Sequence, residues 1–288
     1  MDVKTIAVIG AGTTGRAIAF AAAAGGYQTI LEDVNETLLT RALTWVGQAF
    51  AQGVKGGEID AHTRETALAR ITTSFAVDEA IRDAELIIEA VSEELEMKLE
   101  LFTIFDRFAK PNAIFASHSS SLSISDFTDV VLRRDRCIGM HFFNPIPEMR
   151  LVEIVRTPYT SDETVATCVS VAHRMHKETV VVNETPGFIT SRIDALIGNE
   201  AFAMLEAGVA SAAEIDKAIK VGFDHLMGPL ETADLDGLDA RLKILEYLHQ
   251  TLGERFRPSP LLKRYVEEGR LGRKTGRGVY DYSRDVEG

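Results

Sequence analysis

Apolar residues come in short unbroken runs along the first two thirds of the chain, separated by longer stretches in which they recur every three or four positions. The runs at Thr5–Ile9, Gln28–Asp33, Ala84–Val91, Asn112–Ser117, Arg136–Phe143, Leu151–Thr157 and Thr179–Asn183 are rich in β-branched and aliphatic residues and predict strands. The intervening Thr14–Gly25, Asn35–Gly53, Glu94–Phe108 and Ser161–Met175 predict helices. Strands that are apolar throughout are buried on both faces, so this alternation predicts a mostly parallel sheet covered by helices, an α/β domain of Rossmann type. After Pro186–Gly187 the strand pattern stops until the last few residues. Ile189, Ile193, Leu196, Ile197, Met204 and Leu205 recur at helical spacing, Gly208 is placed to end that helix, and Ser211-Ala-Ala-Glu214 forms a capping box for the next. A boundary near residue 185 follows, with an α/β domain over 1–184 and a smaller all-helical domain over 185–288.

Composition leaves this picture unchanged: 45% hydrophobic and 26% charged residues are ordinary for a globular protein of 288 residues. The longest apolar stretches, such as Ala84–Val91, are too short and too interrupted to cross a bilayer, and the N-terminus carries no basic and apolar leader, so a cytoplasmic location is expected. Cys137 and Cys168 offer neither a disulfide framework nor metal-ligand spacing, and no metal is expected. Charge says more. A net charge of −12 argues against nucleic acid and membrane partners, and it requires any anionic ligand to be held by local devices such as helix N-termini and a few placed lysines.

Val8-Ile-Gly10-Ala11-Gly12-Thr13-Thr14-Gly15 sits between a strand and an alanine-rich helix, the setting in which a Gly-x-Gly-x-x-Gly pattern binds a dinucleotide. Gly10 permits the tight turn, Gly12 lets the backbone approach a pyrophosphate, and Gly15 lets the helix pack closely on the sheet. The helix N-terminus then offers N–H groups and a partial positive charge to the phosphates. Asp33 ends the next strand, where a carboxylate accepts from the adenosine ribose hydroxyls and repels a 2′-phosphate, so NAD is expected rather than NADP. Glu32 is adjacent, and the pattern leaves open which carboxylate faces the ribose. A glycine-rich turn serving another ligand is the competing reading.

Ile114-Phe-Ala-Ser-His-Ser-Ser120-Ser-Leu begins as an apolar strand and ends in hydroxyls. Ligands of open parallel sheets lie beyond the carboxyl ends of the strands, which makes these hydroxyls candidate donors to a substrate oxygen. Turn and cap roles suit most of them equally, and Ser123 with Asp126 is expected to cap a short helix. Gly139-Met-His141-Phe-Phe-Asn144-Pro145 places a histidine at a strand end, ahead of an Asn-Pro break. A lone histidine on an apolar strand is commonly a core residue; Glu153 changes the reading. It lies within Leu151-Val-Glu153-Ile-Val, where a carboxylate is costly to bury unless paired, and it follows on the strand after His141. A histidine bonded to a carboxylate has a fixed tautomer and a stabilised imidazolium, the properties of a general base. Alcohol dehydrogenation needs one, because hydride leaves carbon for a nicotinamide while the hydroxyl proton requires an acceptor. An edge position facing water is the other reading of Glu153.

On these residues the chain resembles, over essentially its whole length, the 3-hydroxyacyl-CoA dehydrogenases, especially the short single-function 3-hydroxybutyryl-CoA dehydrogenases. The further markers are Ile88-Glu-Ala90, Ser120-Ser-Leu-Ser-Ile124, Thr185-Pro-Gly-Phe-Ile189, Gly228-Pro-Leu230, Gly237-Leu-Asp239 and Arg273-Lys-Thr-Gly276. The resemblance implies NAD as cofactor, an acyl-CoA substrate of L configuration, and a helical domain serving substrate closure and dimerisation. It implies His141 as catalytic base with Glu153 as partner, Ser120 on a substrate oxygen, and Asn144 near the nicotinamide and the reacting carbon. Glu93, Lys98 and Lys274 match positions that contact NAD; taken alone they read as solvated charge, Lys98 being one more cation on a mixed helix face. Two departures stand out. The family has Asn-Thr-Ser-Ser where this chain has His118-Ser-Ser-Ser, and a substrate-holding asparagine where this chain has Ser191, whose hydroxyl is shorter and lacks an amide's separate donor and acceptor. Lys55 reads first as a solvated loop lysine and second as a hold on a CoA phosphate. Two rival readings share the fold: an NAD-dependent dehydrogenase of a free hydroxy acid or sugar acid of gulonate type, and a non-catalytic NAD-binding protein.

Overall fold

The structure is a computed structural model that describes residues 1–57, 59–120 and 122–283. The chain forms two compact units divided between Thr185 and Pro186.

In the first unit, β1 (Thr5–Ile9), β2 (Gln28–Glu32), β3 (Ile71–Ser74), β4 (Leu86–Glu89), β5 (Ile114–Ser117), β6 (Cys137–Phe142), β7 (Leu151–Arg156) and β8 (Glu178–Asn183) make one sheet in the order β3-β2-β1-β4-β5-β6-β7-β8. Every adjacent pair is parallel except β6–β7, which is antiparallel. The mostly parallel sheet is therefore present, with one reversal the hydrophobic pattern does not reveal. The helices of this unit are α1 (Thr13–Ala24), α2 (Glu36–Gly56), α3 (Ala61–Leu68), α4 (Val77–Ile81), α5 (Leu95–Phe108), α6 (Ile124–Thr128) and α7 (Asp162–Arg174). Apolar residues of α1, α2 and α7, among them Ile18, Leu39 and Val171, close over Ile6, Val8, Leu31, Ile88 and Ile154 on one face. On the other face Phe102 and Phe105 of α5 meet Phe115 of β5 and Phe127 of α6 edge-on and tilted, which gains aromatic contact beyond area alone.

Two local expectations are corrected, and one strand has no counterpart among the predicted ones. Ser123 does precede α6, but its hydroxyl donates to Glu184 Oε1 at 2.9 Å and makes no cap; Glu184 caps the helix instead, accepting the Ser125 N–H at 2.8 Å. Lys55 lies in no loop: α2 runs on to Gly56 and carries the lysine, exposed, in its last turn. β3, with one aliphatic residue in Ile-Thr-Thr-Ser, has the polar composition an edge strand tolerates and gives no apolar run to predict it.

The second unit is helical: α8 (Thr190–Glu206), α9 (Ala212–Gly222), α10 (Pro229–Asp236), α11 (Leu238–Leu252) and α12 (Pro260–Glu267). Phe202, Leu230, Leu245, Leu248 and Phe256 form its core. Gly208 ends α8 in the left-handed region (φ 68°), the Val209 N–H reaching back to Met204 O at 3.0 Å, and Ser211 caps α9 by accepting the Glu214 N–H at 3.3 Å. Among the described residues no helix is long and apolar enough to cross a membrane.

Candidate active site

The turn from β1 into α1 is built for an anion. Gly10 sits at φ 102°, a conformation that favours glycine. A Cβ on Gly15 would stand 1.7 Å from Gly10 O, so the third glycine is demanded by the turn's own backbone more than by the sheet. A Cβ on Gly12 would meet nothing within 4 Å, which leaves that side of the loop open. Arg16 donates to Gly12 O at 3.1 Å, so the N–H groups of Thr13, Thr14 and Gly15 precede the first helical bond and face the opening. An open backbone cradle at a helix N-terminus fits the pyrophosphate of NAD.

The two neighbouring carboxylates separate. Asp33 Oδ2 accepts the Ala11 N–H at 2.9 Å and Oδ1 the Asn35 N–H at 2.9 Å, so Asp33 belongs to the glycine turn. Glu32 is 2% exposed, its Oε1 has no hydrogen-bond partner, and burial beside Asp33 pushes its pKa up to about 7.

Glu32, Ile9, Glu89 and Ser117 lie in register across β2, β1, β4 and β5. Glu89 is fully buried and satisfied: it accepts from Val91 N–H (2.8 Å), Ser117 Oγ (2.6 Å) and Lys98 Nζ (2.6 Å). Lys98 is 1% exposed and also lies 3.2 Å from Glu93. The expectation of a solvated lysine is thus overturned, because α5 lays this side chain inward against the end of β4. Glu93 in turn gathers the loop after β5, accepting from Ser119 Oγ and, at 3.1 Å, from the N–H groups of Ser120 and Leu122. The Ser120 hydroxyl makes no hydrogen bond among the described residues; Ser121 lies outside them. Glu89 was detectable in the sequence by the signal that marks Glu153, a carboxylate inside an apolar strand.

His141 and Glu153 are directly opposed in the antiparallel β6–β7 pair, with Nδ1 and Oε2 2.7 Å apart. Glu153 is completely buried and β8 flanks it on the other side, so the reading of an edge position facing water is overturned. A carboxylate only accepts, hence Nδ1 carries the hydrogen, and in the neutral form of the ring Nε2 presents a lone pair. β6 runs parallel to β1, β4 and β5, which places His141 at the same carboxyl edge of the sheet as the glycine turn. Beyond β6, Asn144 is exposed and its peptide to Pro145 is cis. His118, directly after β5, accepts the Phe142 N–H on Nδ1 at 3.1 Å. That bond is non-local and has no signature in the sequence.

In the helical unit, Ser191 lies in the first turn of α8, and Lys274 is ion-paired with Asp239 at 2.5 Å. Cys137 and Cys168 are unpaired and buried, which drives both thiols up to about 12.

Sheet, glycine turn and carboxylate define a dinucleotide-binding protein of the Rossmann class. Residues 5–185 match the 3-hydroxyacyl-CoA dehydrogenase NAD binding domain, and residues 187–282 the C-terminal domain of the same enzymes. The chain is 41% identical to a probable 3-hydroxybutyryl-CoA dehydrogenase of Bacillus subtilis, over 98% of both chains. It is 38% identical to the mitochondrial hydroxyacyl-coenzyme A dehydrogenase of Homo sapiens, covering 97% of this chain and 91% of that one. Its fold is similar to the crystal structure of (S)-3-hydroxybutyryl-CoA dehydrogenase from Ralstonia eutropha, with a TM-score of 0.94 and 38% identity over 98% of this chain and 99% of that one. The protein belongs to the 3-hydroxyacyl-CoA dehydrogenases, NAD-dependent oxidoreductases.

Proposed function

We propose that the protein oxidises a short L-3-hydroxyacyl-CoA, 3-hydroxybutyryl-CoA foremost, to the 3-ketoacyl-CoA, or catalyses the reverse reduction, with His141 and Glu153 as its proton-handling pair. The carrying observation is the buried cross-strand bond from His141 Nδ1 to Glu153, at the sheet edge that also bears the glycine turn. Relatives named for 3-hydroxybutyryl-CoA, similar over the whole chain, support the short acyl group.

A bound oxidised nicotinamide supplies the hydride acceptor. His141 Nε2 takes the hydroxyl proton, and the Glu153 carboxylate stabilises the resulting imidazolium; in the reverse direction the same nitrogen returns the proton to the oxygen at carbon 3. Gly10 to Gly15 and Asp33 take the pyrophosphate and ribose. The Ser120 hydroxyl and Asn144 amide are assigned to the substrate oxygen and the nicotinamide side. Glu93 shapes the Ser120 loop, with Lys98 holding Glu93. Ser191 and Lys274 are assigned substrate and cofactor contacts, and the helical domain (185–288) closure and dimerisation in a cytoplasmic homodimer.

The test is NADH consumption with acetoacetyl-CoA beside free acetoacetate, longer 3-ketoacyl thioesters and sugar acids. Acetoacetyl-CoA should be strongly preferred; equal rates on free acids would move the assignment to a free-acid dehydrogenase, and no consumption at all to a binding protein. His141→Ala should lower turnover by about 10²–10⁴-fold while leaving NADH affinity nearly intact. Glu153→Gln should lose less and move the acid limb of the oxidation profile to lower pH, since removing the anion destabilises the imidazolium.

A further inference from the structure

His118 stands where the family pattern has asparagine, and its setting gives it one possible chemistry. Its backbone N–H bonds Glu89 O at 2.9 Å, extending the β4–β5 ladder by a residue and fixing the Cα. Its Nδ1 accepts the N–H of Phe142, the residue after His141. A backbone amide can only donate, so Nδ1 must present its lone pair, and the neutral ring carries its hydrogen on Nε2. A second proton would have to enter at Nδ1 and expel the Phe142 amide. Burial lowers the pKa from 6.5 to about 3, with the neighbouring His141 and Lys98 adding to the effect; Glu93 and the backbone carbonyl of Met140 oppose it. The ring is therefore neutral at any working pH.

The ring centroid lies 5.7 Å from that of His141, with the planes 35° apart. The two imidazoles end adjacent parallel strands, β5 and β6, at the same edge of the sheet. His118 is half-buried rather than sealed, and its Nδ1 side is turned to β6. The two rings are thus held in opposite senses: Nδ1 of His141 donates to Glu153, which leaves Nε2 to handle a proton, while Nδ1 of His118 accepts from Phe142, which leaves the hydrogen on Nε2.

We propose that His118 is a substrate-binding residue whose Nε2–H donates to the thioester carbonyl oxygen of the acyl-CoA while His141 handles the oxygen at carbon 3. A 3-ketoacyl or 3-hydroxyacyl thioester carries two oxygens in a 1,3 relationship. One needs a proton acceptor or donor that changes state during the reaction, and the other needs a donor that does not. An imidazole that cannot take a second proton suits the second task, because it competes with neither the proton on His141 nor the charge that forms there. The inference rests on the acyl thioester reading of the substrate.

Two substitutions separate the two ring nitrogens. His118→Asn keeps an acceptor for the Phe142 N–H but withdraws the donor that reaches further out. His118→Gln keeps an N–H near the position of Nε2. Steady-state reduction of acetoacetyl-CoA should show His118→Asn raising KM about tenfold, the scale of one hydrogen bond left unmade, with NADH binding and Tm close to wild type. His118→Gln should recover most of that loss. An Asn variant within twofold of wild type in kcat/KM overturns the proposal. So does a Gln variant that matches Asn while retaining wild-type Tm, and so does a shifted pH profile at constant KM, which would make His118 a modulator of His141. If the wild-type protein itself neither binds nor reduces acetoacetyl-CoA, the functional reading fails and takes this inference with it; wild-type activity with unaffected variants sinks the inference alone.

Discussion

Glu32 and Glu153 are both sealed from water, and they resolve the cost of a buried carboxylate in different ways. Glu153 faces an imidazole 2.7 Å away. Glu32 has an oxygen with no partner, and the negative charge of Asp33 beside it makes ionisation harder still. Its folded pKa of about 7 lies above the usual 4.5, so the folded chain binds this proton more tightly than the unfolded chain. The sign follows: stability is fully present below the unfolded value and is lost as pH rises through the folded one. A shift of that size corresponds to about 3 kcal/mol once both states are ionised. Glu32→Gln removes the titration. Urea unfolding of wild type and variant should give similar stabilities near pH 4, with the variant increasingly the more stable toward pH 8; parallel curves across that range would mean that Glu32 stays ionised in the folded state.

At the scale of elements, the decisive junction is where α5 lies against the ends of β4 and β5. One lysine there neutralises Glu89 and reaches Glu93, which holds the loop carrying Ser120. Lys98→Met would leave Glu89 as an uncompensated charge with no exposure, a loss of about 3–5 kcal/mol. Adding Glu89→Gln should recover most of that stability, and denaturant melts of the single and double variants check it; a single variant as stable as wild type would show that Glu89 takes up a proton at little cost. This junction was hard to see in the sequence. Lys98 sits among Glu94, Glu96 and Glu100, and a charge with charged neighbours on a helix reads as solvated. The strands were easier, since a strand buried on both faces has to be apolar throughout, as Leu86–Ile88 and Ile114–Ala116 are. Strand direction leaves no mark on composition, so the reversal at β7 was invisible, although the opposition of His141 and Glu153 depends on it. Neither Ile71–Ser74 nor the Phe142–His118 bond could be read, the first for want of apolar residues and the second because it joins positions distant in sequence.

For the whole molecule, the problem is to hold an anionic cofactor in a chain of net charge −12. Nothing at the glycine turn depends on that overall charge. The turn uses backbone N–H groups and one helix N-terminus, both local to β1 and α1, and Asp33 comes from β2 of the same unit. The core that supports them, from Ile6 to Met175, lies wholly within the first unit, while the core around Phe202 and Leu248 lies wholly within the second. Residues 1–185 alone should therefore fold cooperatively and bind NADH with a Kd within about tenfold of the full chain, a difference of about 1.4 kcal/mol. The cofactor contact proposed for the second unit is Lys274, which is about half exposed and ion-paired with Asp239, and an exposed charge of that kind contributes little. Fluorescence titration with NADH measures the affinity, and the rise in Tm on adding NADH reports binding to the folded state independently. A fragment that folds but binds more than about a hundredfold more weakly would mean that the helical unit holds part of the dinucleotide, and the first unit could not then be the whole of the cofactor site.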